Sequence, residues 1–211
     1  MIKLYGFFRS RSNRAMWALE EIGAPYEFYQ LDFKRGDPRS DFYRAINPAC
    51  KMPALQDDDL CLSESCAICN YLGEKFPESG LTPPSATRER AVYDQWMFFV
   101  LSELEQPLWT KGKHTFAIPE EYRVPAVLDT ALWEFARAAK LLSKGLGDNE
   151  YIAGDRFTMA DILVAQTLRW AVNFKYPIEH DNLTAYLEHM EARPAYARMA
   201  EKPHLEIPQS A

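Results

Sequence analysis

Two short stretches carry the polar groups best spaced to hold a small ligand: Lys51-Met52-Pro53-Ala54-Leu55 and, ten residues on, Glu64-Ser65. The bond before a proline is the only peptide bond that becomes cis at modest cost. A cis bond at Pro53 turns the Met52 N–H and C=O outward, where an extended peptide can pair with them as an added strand. Glu64-Ser65 precedes apolar residues at helical spacing, Ala67, Ile68, Tyr71 and Leu72, so Ser65 is read as a helix N-cap. The free N–H groups of that helix start, with the Ser65 hydroxyl, suit a carboxylate. Glu64 beside them suits an ammonium. Backbone pairing, an anion nest and one carboxylate together match a small zwitterionic peptide. Two plainer readings stay open: Pro53 as a trans proline opening an edge strand, and Ser65 as a cap with no ligand.

Composition bounds the partners. With 211 residues the chain is long enough for one large domain or two small ones, and its 47% hydrophobic and 13% aromatic content is that of a folded globular protein. A formal net charge of -6 argues against nucleic acid and acidic membrane. No run of about 18 apolar residues exists, so no membrane span is expected. Met1-Ile2-Lys3-Leu4-Tyr5 lacks the basic and apolar blocks of a signal peptide, which makes the cytoplasm the expected location. Cys50, Cys61, Cys66 and Cys69 cluster, and Cys66-x-x-Cys69 has the spacing of half a zinc site. That pair falls inside a predicted helix, and Cys50 and Cys61 make no second such motif. No metal is expected, and the cysteines are read as free thiols of a reducing compartment.

The elements that must position these stretches follow from periodicity. Ile2 to Gly6 is a short apolar strand, and Ala15, Met16, Leu19 and Ile22 then recur at helical spacing until Gly23 stops the helix. Tyr26 to Leu31 alternates as a second strand entered through Pro25, which makes a βαβ unit with parallel pairing. A short helix near 41–45, a hairpin of strands near 53–57 and 60–62, and a helix from Ser65 to about Phe76 complete the order βαβ, α, ββ, α of a thioredoxin-like domain over residues 1–77. Residues 78–87 are rich in proline, glycine and serine and read as a linker. Residues 88–211 show no strand pattern and read as an all-helical bundle, with helices over 86–110, 120–145, 159–173, 183–192 and 195–201. Within it Thr158-Met159-Ala160-Asp161 is a capping box with Asp in place of Glu, a structural feature.

Taken together, the chain resembles a cytosolic glutathione transferase of the serine type, theta- or zeta-like or a bacterial relative. Four segments carry the likeness: Asn47-Pro48-x-x-Lys51-Met52-Pro53-Ala54-Leu55, Glu64-Ser65-x-Ala67-Ile68-x-x-Tyr71-Leu72, Ser10-x-x-x-Arg14-Ala15, and Gly154-Asp155-Arg156-Phe157-Thr158-x-Ala160-Asp161. The resemblance implies that Pro53 is cis, that Met52 pairs with the cysteinyl part of glutathione, that Glu64 and Ser65 hold its γ-glutamyl end, and that Lys51 lies near the glycyl carboxylate.

It also implies that a hydroxyl after the first strand donates to the glutathione sulfur and favours the thiolate. A thiol of pKa about 8.5 is only about 3% ionised at pH 7, and lowering it by about two units leaves roughly three-quarters ionised, a shift of about 2.7 kcal/mol. Ser10, four residues before Arg14, has the matching spacing. Ser12 and Asn13 share its turn as alternatives, with helix capping as their plainer role. Tyr5 lies deep in the strand, and Phe8 occupies the place of a catalytic tyrosine. The resemblance further implies a homodimer and an electrophile pocket between the domains, with Leu108, Trp109 and His114 facing it and Trp170 and Phe174 contributing. The expected activity is addition of the glutathione thiolate to small hydrophobic electrophiles. The alternatives are a maleylacetoacetate-type isomerase, a glutathione-dependent disulfide reductase and a non-enzymatic binding module. Cys50 departs from the pattern, standing where many members have glycine.

Overall fold

The computed structural model describes residues 1–208. The chain forms two units: Met1–Thr82 together with the chain from Ala192, and Pro83–Glu191.

The first unit is built on a four-stranded mixed sheet of order β2-β1-β3-β4. β1 (Ile2–Gly6) and β2 (Tyr26–Gln30) run parallel with Leu4 opposite Phe28, and α1 (Ser12–Ile22) crosses between them. β3 (Ala54–Asp57) is antiparallel to β1, with Tyr5 opposite Ala54, and forms a hairpin with β4 (Leu60–Ser63) through Asp58-Asp59. α1 closes at Gly23, whose φ of 74° only glycine adopts without strain and whose N–H donates to the Leu19 carbonyl at 2.9 Å. Met16, Trp17 and Leu19 of α1 are completely buried, each such side chain contributing about 1.5–3 kcal/mol over an exposed one. α3 (Ser65–Lys75) packs on α1 and buries Ile68, Cys69 and Leu72. Its Gly73 lies against Thr82 so closely that a Cβ there would sit 2.1 Å from the Thr82 hydroxyl.

Side chains alternate across the sheet, so Tyr5 and Ala54 share one face and leave Leu4 and Leu55 for the other. Beneath the Tyr5 face lies a cluster of Tyr5, Leu31, Tyr43, Ala54 and Ile207, with Tyr29, Phe42, Ile46 and Met52 packed against it. Tyr43 comes from α2 (Asp41–Ile46), which Ser40 caps by accepting from the Tyr43 N–H at 3.2 Å.

Residues 192–208 join this unit, although the sequence pattern groups them with the later helices. α9 (Pro194–Ala200) lies on α1, held by the Arg193 guanidinium across both Glu21 oxygens at 2.6 and 3.0 Å, by Arg198 on the Glu20 carbonyl at 2.7 Å, and by Trp17 edge-on to Tyr196. Beyond it the chain runs beside β2: the Gln30 N–H donates to the Leu205 carbonyl at 2.9 Å and the Leu205 N–H to the Phe28 carbonyl at 2.8 Å. A one-residue parallel bridge between Leu205 and Tyr29 results. The proline-flanked segment around Leu205 is too short for an alternating pattern, so nothing in the sequence marks it as sheet.

The second unit is helical: α4 (Arg88–Phe99), α5 (Gln106–Gly112), α6 (Val127–Leu146), α7 (Met159–Asn173) and α8 (Asp181–Glu191). The single helix expected over 86–110 is interrupted, because Pro107 cannot donate to the ladder and the backbone widens into a π-helical turn at Val100–Leu104 before α5 begins. A second π-helical turn, Lys113–Ala117, follows α5. The helix expected over 120–145 starts only at Val127, after Pro119 and Pro125. The capping box forms as read: Asp161 Oδ2 accepts from the Thr158 N–H at 2.8 Å, and Asp161 Oδ1 accepts from the Ile152 N–H at 2.8 Å and the Tyr186 hydroxyl at 2.7 Å. One fully buried carboxylate thus fastens the start of α7 to a loop and to α8. No helix among the described residues is long and apolar enough to cross a membrane.

Candidate functional site

Strand directions gather the candidate residues. β1 and β4 run one way and β3 the other, so the exit of β1, the entry of β3 and the exit of β4 lie at one end of the sheet. Ala54 pairs with Tyr5 on one side and Ser63 on the other, which sets Met52-Pro53 between the turn carrying Ser10 and the turn carrying Glu64. Neighbouring strands are spaced by about 4.8 Å, close enough for one small ligand to touch all three turns.

The middle turn is the most tightly specified. The Met52-Pro53 bond is cis. The Lys51 carbonyl accepts from the Tyr43 hydroxyl and from the Asn47 side-chain amide, both at 2.6 Å, while Asn47 Oδ1 accepts from the Ala49 N–H at 3.1 Å. In a planar trans peptide the C=O and the following N–H point opposite ways. Fixing the Lys51 carbonyl inward therefore aims the Met52 N–H outward, and that N–H meets no partner among the described residues. Cys50 has φ 56°, the left-handed region, which accounts physically for glycine being the easier residue there. Its thiol is half-buried, as is that of Cys66, and burial pushes the Cys69 thiol well up. The Lys51 side chain is exposed.

At the third turn the structure corrects the capping assignment. Glu64, not Ser65, precedes α3, and it does so at φ 67°, a conformation that costs a non-glycine residue of order 1–3 kcal/mol and clusters at functional sites. Ser65 is the first helical residue, buried, and its hydroxyl oxygen accepts from Arg14 Nη1 at 3.2 Å. The first intrahelical bond runs from the Ile68 N–H to the Glu64 carbonyl, so the N–H groups of Ser65, Cys66 and Ala67 precede the ladder and face the helix start. Arg14 is fully buried. Sequence reading placed it in a motif without a role, since a charged residue on a buried face looks like an interruption of the pattern.

In the first turn the two serines separate. Ser12 has no exposed surface; its Oγ accepts from the Phe7 N–H at 3.2 Å, and a Cβ on Gly6 would sit 2.3 Å from it. Ser10 is half-buried, with its Oγ 2.6 Å from the Phe7 carbonyl and 2.9 Å from Ser12 Oγ. One proton assignment satisfies both distances, with the Ser12 hydroxyl donating to Ser10 Oγ and Ser10 to the Phe7 carbonyl. Asn13 spends its side-chain oxygen on the Arg9 N–H at 3.2 Å, which steadies Arg9 at φ 61°. Tyr5 is buried with its hydroxyl on Gln56 Oε1 at 3.2 Å, and burial pushes its pKa up to about 12. Beside this turn, still within the first unit, opens a cavity of about 290 Å³ bordered by Phe7, Leu31, Lys34, Arg35, His204 and Glu206.

The three residues named from the helical unit differ among themselves. Leu108 is fully buried; Trp109 and His114 are partly exposed, and His114 Nδ1 accepts from the Val124 N–H at 3.0 Å. Phe174 stands edge-on to Trp170 at 5.5 Å and to Phe116 at 6.2 Å, and Lys111 donates to the Phe174 carbonyl at 2.7 Å, tying α5 and the turn after it to the end of α7. Among the described residues no three His, Cys, Asp or Glu side chains gather as a metal site needs.

Compared with known proteins, residues 1–74 match the family model for the glutathione S-transferase N-terminal domain, and residues 106–194 match that for the C-terminal domain. The chain belongs to the glutathione S-transferase family. This transferase-family chain is 31% identical over 182 residues to glutathione S-transferase GstA of Escherichia coli O157:H7, covering 83% of this chain and 86% of that one. It is 33% identical over 175 residues to glutathione S-transferase Z1 of Arabidopsis thaliana, covering 82% and 78%. A glutathione transferase family member from Pseudomonas fluorescens Pf-5, solved with two glutathione bound, superposes with a TM-score of 0.84 at 28% identity, covering 96% of this chain and 93% of that one. The first unit has the thioredoxin-like fold of the family and the second its helical domain.

Proposed function

We propose that this chain is a serine-type glutathione transferase, adding the glutathione thiolate to small hydrophobic electrophiles and working as a homodimer. The observation that carries the reading is the outward Met52 N–H, fixed between a half-exposed Ser10 hydroxyl and the unladdered N–H groups of α3. Glutathione laid along β3 pairs with Met52 through its cysteinyl backbone, sets its γ-glutamyl carboxylate on the start of α3 and the Ser65 hydroxyl, and its ammonium on Glu64. Lys51 is the cation for the glycyl carboxylate.

Ser10 then exchanges its bond to the Phe7 carbonyl for one to sulfur. A hydrogen bond to a charged acceptor is worth about 1.5–3 kcal/mol against about 1 for the neutral one it replaces, and the N-terminus of α1 adds about 0.3–1. Those terms favour the thiolate and supply part of the roughly 2.7 kcal/mol that a two-unit pKa drop requires. The thiolate attacks the electrophilic carbon, a C–S bond forms, and a leaving group such as chloride departs with the electrons of its bond. The cavity beside Phe7 is the proposed surrounding of the electrophile in the first unit; in the helical unit Trp109 and His114 keep their expected substrate role, and Leu108 serves as packing.

The test is conjugation of a chloronitroaromatic by purified protein that is retained on immobilised glutathione. A protein that neither binds nor conjugates is instead a binding module built on the same fold.

A further inference from the structure

The cluster under the middle turn includes a residue remote in sequence from every glutathione contact. Ile207 is buried among Tyr5, Leu31, Tyr43 and Ala54, with Met52 packed on the same group. It is delivered there by the segment pinned to the edge of β2, with Leu205 bonded to Phe28 and Gln30 and Glu206 paired to Arg35. Tyr43 links this packing to the site, because the hydroxyl of that fully buried ring is one of two donors holding the Lys51 carbonyl.

From this geometry we infer that Ile207 is a positioning residue for the Lys51-Met52 arm of the glutathione site. The inference rests on the proposed function above. Interiors are close-packed, so a side chain shortened within the cluster that holds Tyr43 leaves room for its ring to shift, and a hydrogen bond between fixed partners weakens steeply with misalignment. The Lys51 carbonyl then keeps only Asn47, and the Met52 N–H loses its fixed direction. The Ser10 turn is held by a separate set of bonds, to Phe7, Ser12 and Asn13, and is untouched. The signature is therefore selective: binding of the peptide backbone weakens while turnover at saturation does not.

Titration calorimetry with S-methylglutathione, which lacks a free thiol, reads this directly. Ile207→Ala should raise the dissociation constant and the KM for glutathione about 3- to 10-fold, the range for one lost hydrogen bond, with kcat within about twofold. Ile207→Val should restore most of the affinity. Tyr43→Phe should weaken binding similarly, and the double variant should be little worse than either single one, because both act on the same carbonyl. Leu187→Ala, in a buried position of α8, controls for general destabilisation and should leave affinity unchanged. Unchanged affinity in folded Ile207→Ala, or additive effects in the double variant, overturns the inference while leaving glutathione binding intact. Absence of binding by the unaltered protein overturns both readings.

Discussion

Arg14 Nη1 lies 3.2 Å from the Ser65 hydroxyl oxygen, both groups buried, and so joins α1 to the start of α3. The same helix therefore carries, at its entrance, the hydroxyl assigned to sulfur and, one turn on, the cation that orients a hydroxyl assigned to the γ-glutamyl carboxylate. Because the Ser65 oxygen is already accepting from Arg14, its proton is the part left to donate. Arg14→Met should raise the dissociation constant for S-methylglutathione about 10-fold or more, the range for a hydrogen bond from a charged group, and lower the melting temperature as well. Binding unchanged in the folded variant would remove Ser65 from the site.

The two serines of the first turn should fail differently. Ser10→Ala should lower kcat/KM with a chloronitroaromatic at pH 7 by up to about 25-fold, the ratio of thiolate between roughly three-quarters and about 3% ionised, while affinity for S-methylglutathione stays within about twofold. The rising limb of the pH profile should move toward the ordinary thiol range near pH 8.5, since the thiolate loses its donor. Ser12→Ala instead removes the acceptor of the part-buried Phe7 N–H, costing about 0.5–1.5 kcal/mol, and should appear mainly as a lower denaturation midpoint. The reverse pattern would make Ser12 the catalytic hydroxyl.

At the far end of the hairpin, the Lys75 ammonium and the Tyr71 hydroxyl hold the Asp57 carboxyl below its usual value near 3.8. A carboxyl depressed in the folded state stabilises the fold above its unfolded value, and that contribution vanishes as pH falls through the folded one. Lys75 is partly exposed, so solvent screening keeps the effect small. Urea midpoints of the unaltered protein and Lys75→Met should therefore differ slightly at pH 7 and converge as pH falls through the lowered folded-state value of Asp57, where it becomes protonated in both states. Divergence growing toward low pH would contradict the pairing.

Asp161 receives donors on both oxygens, two of them backbone N–H groups that cannot turn away. Asp161→Asn must direct an amide NH2 at one of these donors. The loss should be about 2–4 kcal/mol, seen as a fall in melting temperature of roughly 5–15 °C for a chain this size, with glutathione affinity little changed. A melting temperature within about 2 °C would show that the network relaxes around the amide.

The sheet and its helices were legible because the signals are local. Alternation in Tyr26 to Gln30, helical spacing in Ala15 to Ile22 and the glycine stop at Gly23 each lie within one element. The quoted motifs also located the three turns. What the sequence withholds is whatever depends on partners distant along the chain: Arg14 with Ser65, Tyr43 with the Lys51 carbonyl, and Ile207 in one cluster with Tyr43. The shift of the α3 cap from Ser65 to Glu64 belongs here too, since a glutamate held at φ 67° satisfies a constraint of the surrounding fold rather than its own preference. The break between α4 and α5 was announced by Pro107, but the π-helical route around it was not.

The first unit is discontinuous, returning after residue 191 to cover α1 and line β2. The two halves of the chain are for that reason not exchangeable cassettes. A chimera spliced at residue 82 would lay a foreign helix over Trp17, Glu20 and Glu21 and leave β2 with whatever strand the donor brings. Residues 1–82 produced alone would present the bare N–H and C=O groups of β2 as a template for other chains. Any graft of this proposed glutathione cradle onto another scaffold has to carry the segment that reaches Ile207 along with the sheet.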